Sequence, residues 1–205
     1  MKKGGILIGL LLAVTLMVGS AQAITVGPDN CVSCYGATYN LWYVPTLDAN
    51  QYIVYLSVDT SKLLPSMANT YISLASFKIG SDIQLVGDGL VVAPGDLSKW
   101  TTTETGLTNN GCTGGGAGFT CSQDQGLPNL APVSDGLLTW GWKISQPDAP
   151  DLYGATIKVK YDNATGTLNG KITSEVAVPE PSTLLLLGSG LLGLGGFAWR
   201  RNRKG

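Results

Sequence analysis

Ala155-Thr156-Ile157-Lys158-Val159-Lys160-Tyr161 carries the pattern that decides the fold. Ile157, Val159 and Tyr161 alternate with Lys158 and Lys160. That is the two-residue period of a strand with one face on a core and the other in water. The pattern puts the three apolar residues inside and the two lysines outside. Asp162-Asn163-Ala164-Thr165-Gly166 then offers turn-forming residues for a five-residue hairpin loop. Leu168, Gly170 and Ile172 make the inner face of the return strand. Upstream, Tyr52-Ile53-Val54-Tyr55-Leu56-Ser57-Val58 is dominated by β-branched and aromatic residues, which suit a pleated surface.

Working outward, strands are expected at 38–44, 52–58, 70–79, 83–86, 89–92, 137–144, 154–161 and 167–176, between clusters of Gly, Pro, Asn and Asp. No run of a dozen residues keeps a 3.6-residue period. The fold expected is mainly β: a single antiparallel β-sandwich of immunoglobulin-like or jelly-roll type, with barrel closure as the alternative. Residues 97–132, rich in Gly, Thr, Asn and Ser, read as one long excursion. Within it, Gly114-Gly115-Gly116-Ala117-Gly118 lacks the Lys-Ser or Lys-Thr and the strand–helix frame of a phosphate loop.

The 205 residues make one ordinary domain with targeting segments attached. The net charge of −1 hides an uneven distribution. From Ile24 to Val178 there are seven lysines, no arginine and thirteen acids, about −6, flanked by basic ends. An acidic body without a basic stripe excludes nucleic acid from the expected partners, because phosphate neutralisation needs clustered Lys and Arg. The chain has no histidine. The commonest general base and metal ligand is therefore missing, and a non-catalytic body is expected, with no cofactor and no metal.

The two ends carry the strongest signals. Met1-Lys2-Lys3, the apolar run 6–18, and Gly19-Ser20-Ala21-Gln22-Ala23 are the three regions of a secretory signal peptide. Ala21 and Ala23 stand at the −3 and −1 places of an A-x-A site. Residues 1–23 are thus expected to be removed after passage through the Sec export machinery. The alternative is a retained anchor, for which the run is short against the roughly 20 residues of a span. At the other end, residues 183–199 are apolar apart from Thr183 and Ser189 and reach about 26 Å as a helix, just enough for a bilayer core. Arg200, Arg201, Arg203 and Lys204 follow as a stop-transfer cluster. The positive-inside rule keeps that cluster in the cytoplasm and the body outside the inner membrane. Pro179-Glu180-Pro181 precedes the span. Its two prolines exclude a regular helix interior and favour an extended strip.

VPEPSTLLLLGSGLLGLGGFAWRRNRKG, residues 178–205, resembles the PEP-CTERM sorting signal of Gram-negative bacteria: motif, Leu- and Gly-rich span, arginine cluster. The resemblance implies recognition by an exosortase, a membrane-embedded processing enzyme usually found with extracellular-polysaccharide machinery. It carries over to Pro179, Glu180 and Pro181 as motif, and to Arg200 and Arg201 as stop. It is confined to the tail. The organisation expected is a signal peptide (1–23), a β-sandwich body (24–177) and a sorting signal (178–205). The protein would be tethered to the inner membrane with its body in the periplasm. After tail processing it would stand at the cell surface or outside it.

Cys31, Cys34, Cys112 and Cys121 make an even set in an exported chain, which points to disulfides. The local pairs Cys31–Cys34 and Cys112–Cys121 are expected. The alternative ties the N-terminal segment to the excursion by two crossed bridges. Cys31 and Cys34 have redox spacing without the α/β frame, and the second spacing of nine fits a zinc site poorly. Asp148, Asp151, Asp162 and Asn163 offer oxygen ligands for calcium but also suit turns, and no calcium-loop spacing supports the first reading. Trp42, Tyr43, Trp100, Trp140 and Trp142 are read as core. Exposed, they would be a sugar-stacking platform. Two function classes follow. One is a structural or adhesive surface protein, linked to exopolysaccharide or biofilm. The other is a carbohydrate-binding module or a hydrolase using paired carboxylates.

Overall fold

The computed structural model of the chain describes residues 23–27, 31, 34–80, 82–108, 110–115, 117–125, 131–163 and 172–177, the last segment by its backbone alone. Twelve strands are formed among them: β1 (Ala23–Val26), β2 (Thr38–Pro45), β3 (Gln51–Asp59), β4 (Thr70–Lys78), β5 (Gln84–Val92), β6 (Trp100–Thr103), β7 (Gly106–Thr108), β8 (Gly111–Gly114), β9 (Phe119–Asp124), β10 (Leu137–Ser145), β11 (Thr156–Asn163) and β12 (Ile172–Ala177). One five-stranded sheet has the order β1-β2-β3-β10-β5, and a second has the order β12-β11-β4-β9-β6. Every pairing is antiparallel. Strands β7 and β8 form a separate hairpin. Among the described residues, helical structure is limited to short 3₁₀ turns, and no helix is long and apolar enough to cross a membrane.

The two five-stranded sheets share one core. Val54, Leu56 and Val58 of β3 and Leu138, Trp140, Trp142 and Ile144 of β10 are buried on one side. Ala75 and Phe77 of β4 and Ile157, Val159 and Tyr161 of β11 are buried on the other. Phe77 and Trp142 meet across the gap with ring centroids 5.0 Å apart. Trp100 of β6 meets Trp140 edge-on at 5.6 Å. A second contact between the layers is polar: the Trp142 Nε1–H donates to Ser122 Oγ of β9 at 2.6 Å, and Thr102 Oγ1 lies 2.7 Å from the same oxygen.

Several sequence expectations need correction. The segment 97–132 is not one excursion, because it contains β6, β7, β8 and β9. The inward positions of β9 are Thr120, Ser122 and Asp124, so its alternation is written in polar residues and leaves no apolar signature. The two strands expected at 83–86 and 89–92 are one strand, β5. Its glycines Gly87 (φ 66°) and Gly89 (φ 75°) take up a register shift against β10, a bulge where a break was expected. Tyr161 pairs with Ile172 in the β11–β12 ladder, so a loop at 162–166 does not close that hairpin; Asp162 and Asn163 continue β11 against Tyr71 and Thr70 of β4. Lys160 lies on the outward side as expected but is only 5 % exposed. The expected signal peptide, with Ala21, lies outside the described residues, except that Ala23 begins β1. The return-strand positions Leu168 and Gly170, the sorting motif, the span and the basic cluster lie outside them as well.

Candidate functional site

The cysteines form the two local bridges, Cys31–Cys34 and Cys112–Cys121. The second has a structural consequence. Cys112 is on β8, and Cys121 is on the outward side of β9, so the bridge ties the β7–β8 hairpin to the outer face of the second sheet. Leu107 of β7 and Cys121 form a small apolar cluster there with Leu74 of β4, and Cys112 packs against it. Lys78 and Lys158 stand 5.1 and 5.8 Å from the centre of the Phe119 ring on the same face. This face is therefore covered in part by the hairpin and cationic beside it.

Among the described residues no three Cys, Asp or Glu side chains come together as a metal site. Asp151 Oδ1 accepts the Tyr153 N–H two residues on, a turn contact. Asp162 accepts from Ser73 Oγ and pairs with the Lys160 ammonium at 2.9 Å. One cleft of about 490 Å³ does bring two carboxylates, Asp88 and Asp96, beside Trp100. Asp96 accepts the backbone N–H and the hydroxyl of Ser98 at 2.9 and 2.8 Å, and those bonds hold its carboxyl below the usual range. Such a group stays an ionised acceptor and is ill suited to general-acid work. Trp100 is itself buried, its Nε1–H donating to the Pro94 carbonyl at 3.0 Å.

Trp140 and Trp142 are wholly buried, as the core reading expects. Trp42 differs. Leu41 points into the core, so its neighbour Trp42 points outward from the first sheet, and it is partly exposed. Register places Tyr55 directly across from it, with ring centroids 5.2 Å apart and planes 14° from parallel. Tyr55 in turn faces Gly141 of β10. A methyl group at Gly141 would come within 2.9 Å of the Tyr55 ring and 3.2 Å of Val92, so only glycine leaves room for the ring to lie there. The row one step along the strands holds Thr25, Asn40, Ser57 and Thr139. In it Thr25 Oγ1 donates to Asn40 Oδ1 at 2.6 Å, and Asn40 Nδ2 donates to Ser57 Oγ at 3.4 Å. The row on the other side holds Val44, Ile53 and Lys143, the last paired with Asp48 at 3.3 Å. Beyond it opens a polar cleft of about 370 Å³ lined by Asn50, Asp82, Gln84, Ser145, Gln146 and Pro147. The sequence did not single out Tyr55 or Gly141. The usable signal was parity: Trp42 and Tyr55 sit out of phase with the buried positions of their strands.

Comparison with known proteins assigns the tail. Residues 177–204 match the family described as the PEP-CTERM protein-sorting motif, and the tail carries that motif. The match starts at Ala177, the last residue of β12. No curated protein matches the chain.

Proposed function

We propose that this chain is an exported surface or matrix protein whose folded body stands outside the inner membrane and is handed by its tail to an exosortase. The observation that carries this is the sorting motif at 177–204. The motif supports export, membrane-associated sorting and processing by an exosortase. The finer assignments rest on the sequence: a signal peptide cleaved after Ala23, a span at 183–199, and Arg200, Arg201, Arg203 and Lys204 as the cytoplasmic stop.

The body is proposed to be a sandwich of jelly-roll type with a structural or adhesive, non-catalytic role in a polysaccharide-rich layer. The connections favour that topology over an immunoglobulin-like one. The chain changes sheet from β3 to β4, β4 to β5, β5 to β6, β9 to β10 and β10 to β11, a wrapping of one sheet around the other. Of the competing readings, carbohydrate binding has a specific observation in its favour, the outward Trp42–Tyr55 pair. Hydrolysis by paired carboxylates has no comparable observation in its favour, since the lowered Asp96 carboxyl suits a base or nucleophile and identifies no acid. The test is immunodetection on intact cells of an exosortase-bearing host and of the same host without its exosortase. Surface signal only in the former is expected. Equal signal in both overturns the sorting assignment.

A further inference from the structure

We propose that the outward face of the first sheet, centred on Trp42 and Tyr55, binds a strand of uncharged polysaccharide. The proposal rests on the exported reading, which puts this face among extracellular polymers. It departs from that reading in assigning the face a ligand. The chemistry of three adjacent rows carries it.

In the mature chain, which begins at Ile24, the central row runs Trp42, Tyr55, Gly141, Val92. Both rings are partly exposed, and on the β10 side the neighbour of Tyr55 is Gly141, which has no side chain. The aromatic face is electron-rich and its binding partner should present weakly positive C–H groups. A pyranose ring does so on the face that carries its axial hydrogens. Its hydroxyls project sideways and need partners that both donate and accept. Thr25, Asn40 and Thr139 supply such groups one row away, about 7 Å along the strands, while Ser57 between them is buried and holds Asn40. No member of these two rows is charged, and the charge in the third row, Lys143, is cancelled by Asp48. An uncharged polymer matches that balance, whereas an acidic polysaccharide would be repelled by a body that carries about −6. The opposite outer face lacks this chemistry: the β7–β8 hairpin lies across part of it and two lysines crowd its Phe119. The third row and the Asn50–Gln84 cleft extend the first face along the strands. From Ser57 to Gln51 it spans about 20 Å, room for several sugar rings in line.

The geometry also assigns Gly141 as a positioning residue. It is buried beneath Tyr55 and sets where the ring lies.

The test is native affinity electrophoresis of the mature protein through gels containing hydroxyethylcellulose, mixed-linkage β-glucan, dextran, alginate or hyaluronan. Retardation by at least one of the three neutral polymers and by neither anionic one is expected. Trp42→Ala should weaken that retardation roughly tenfold, the loss of one stacking contact. Tyr55→Phe keeps the ring and should stay within about threefold, while Gly141→Ala should weaken binding by displacing Tyr55. Thermal melts of each variant separate lost binding from lost folding. No retardation by any neutral polymer, equal retardation by alginate, or retardation unchanged in a folded Trp42→Ala protein each overturns the proposal. So does concentration-dependent self-association that Trp42→Ala abolishes, which would make the face a contact between two copies. Localisation on cells is read separately, so a failure of export is not confused with a failure of binding.

Discussion

Tyr39 and Tyr161, 122 residues apart in the chain, join their hydroxyls at 2.8 Å in the core between the two sheets. Tyr39 comes from β2 and Tyr161 from β11, and both are fully buried. Burial, first, and then the neighbouring Tyr39 push the Tyr161 hydroxyl well above its ordinary value of 10.0. The folded state therefore keeps a proton that the unfolded state gives up above about pH 10. Stability should be flat below that pH and fall steadily above it, as the linkage relation requires when the native state binds more protons.

The first prediction follows. Alkaline unfolding should begin near pH 10 in the wild-type protein, and Tyr161→Phe should flatten that limb while costing about 1 kcal/mol at neutral pH. Urea melts at pH 7, 9 and 11 measure both. An unchanged alkaline limb in the variant would place the sensitivity elsewhere, Tyr71 being the next candidate because burial raises its hydroxyl too.

The second concerns Cys112–Cys121, which closes a loop of sequence separation 9. A loop of that length is worth about 2–3 kcal/mol in the chain-entropy account. Replacing both cysteines by serine should lower stability by that amount. It should also speed amide exchange in 106–114 and across Leu74 while leaving the first sheet protected. Uniform loss of protection across both sheets would mean that the hairpin is integral to the core and not a cover laid on it.

The third concerns a buried charge. The Lys160 side chain is 6 % exposed and its partner Asp162 23 %. Asp162→Ala strands the ammonium and should cost about 2–3 kcal/mol, a figure reduced for the partly exposed carboxylate. Lys160→Met removes the charge and should be close to neutral. Equal losses from the two substitutions would show that the pair itself, and not the stranded cation, sets the energetics.

Legibility in the sequence followed the chemistry of each strand's inner face. Strands β2, β3, β4, β10 and β11 were readable because hydrocarbon alternates with polar residues or because β-branched and aromatic residues dominate. Strand β9 was not, because its inner positions are Thr120, Ser122 and Asp124, of which Ser122 accepts the Trp142 indole N–H across the core and meets Thr102 of the neighbouring strand. The bulge at Gly87–Gly89 imitated a turn, since the same positive-φ residues serve both. Lys160 was assigned to water on alternation alone, and alternation does not report what covers the outer face. For the outward pair the residues were visible and the pairing was not: only the register of β2 on β3 brings Trp42 to Tyr55. The tail was legible because its order of motif, span and cations is linear and needs no folding to be recognised.

That tail gives the last prediction. Strand β12 is paired with β11 as far as Ala177, where the sorting motif begins. Residues 178–182 are all that separate the last paired residue from the span expected at 183, and five residues reach at most about 18 Å. On that expectation a processing enzyme in the bilayer would meet Pro179-Glu180-Pro181 with the folded body close above it. Proline disfavours helix interiors and sheet ladders, so an extended strip is expected there. Glu180 is the only charge between Glu175 and Arg200, the natural handle for a basic pocket. Replacing Pro179, Glu180 and Pro181 together by alanine should leave export and the mature N-terminus at Ile24 unchanged, and intact-mass analysis should find the protein uncleaved in the inner membrane. Removing Arg200, Arg201, Arg203 and Lys204 should instead disturb retention or orientation. A triple-alanine protein that still reached the surface without its tail would reduce the motif to a linker. A body that unfolded in that variant would show that the strip also pins the end of β12, which amide exchange on Ile172–Ala177 would register directly.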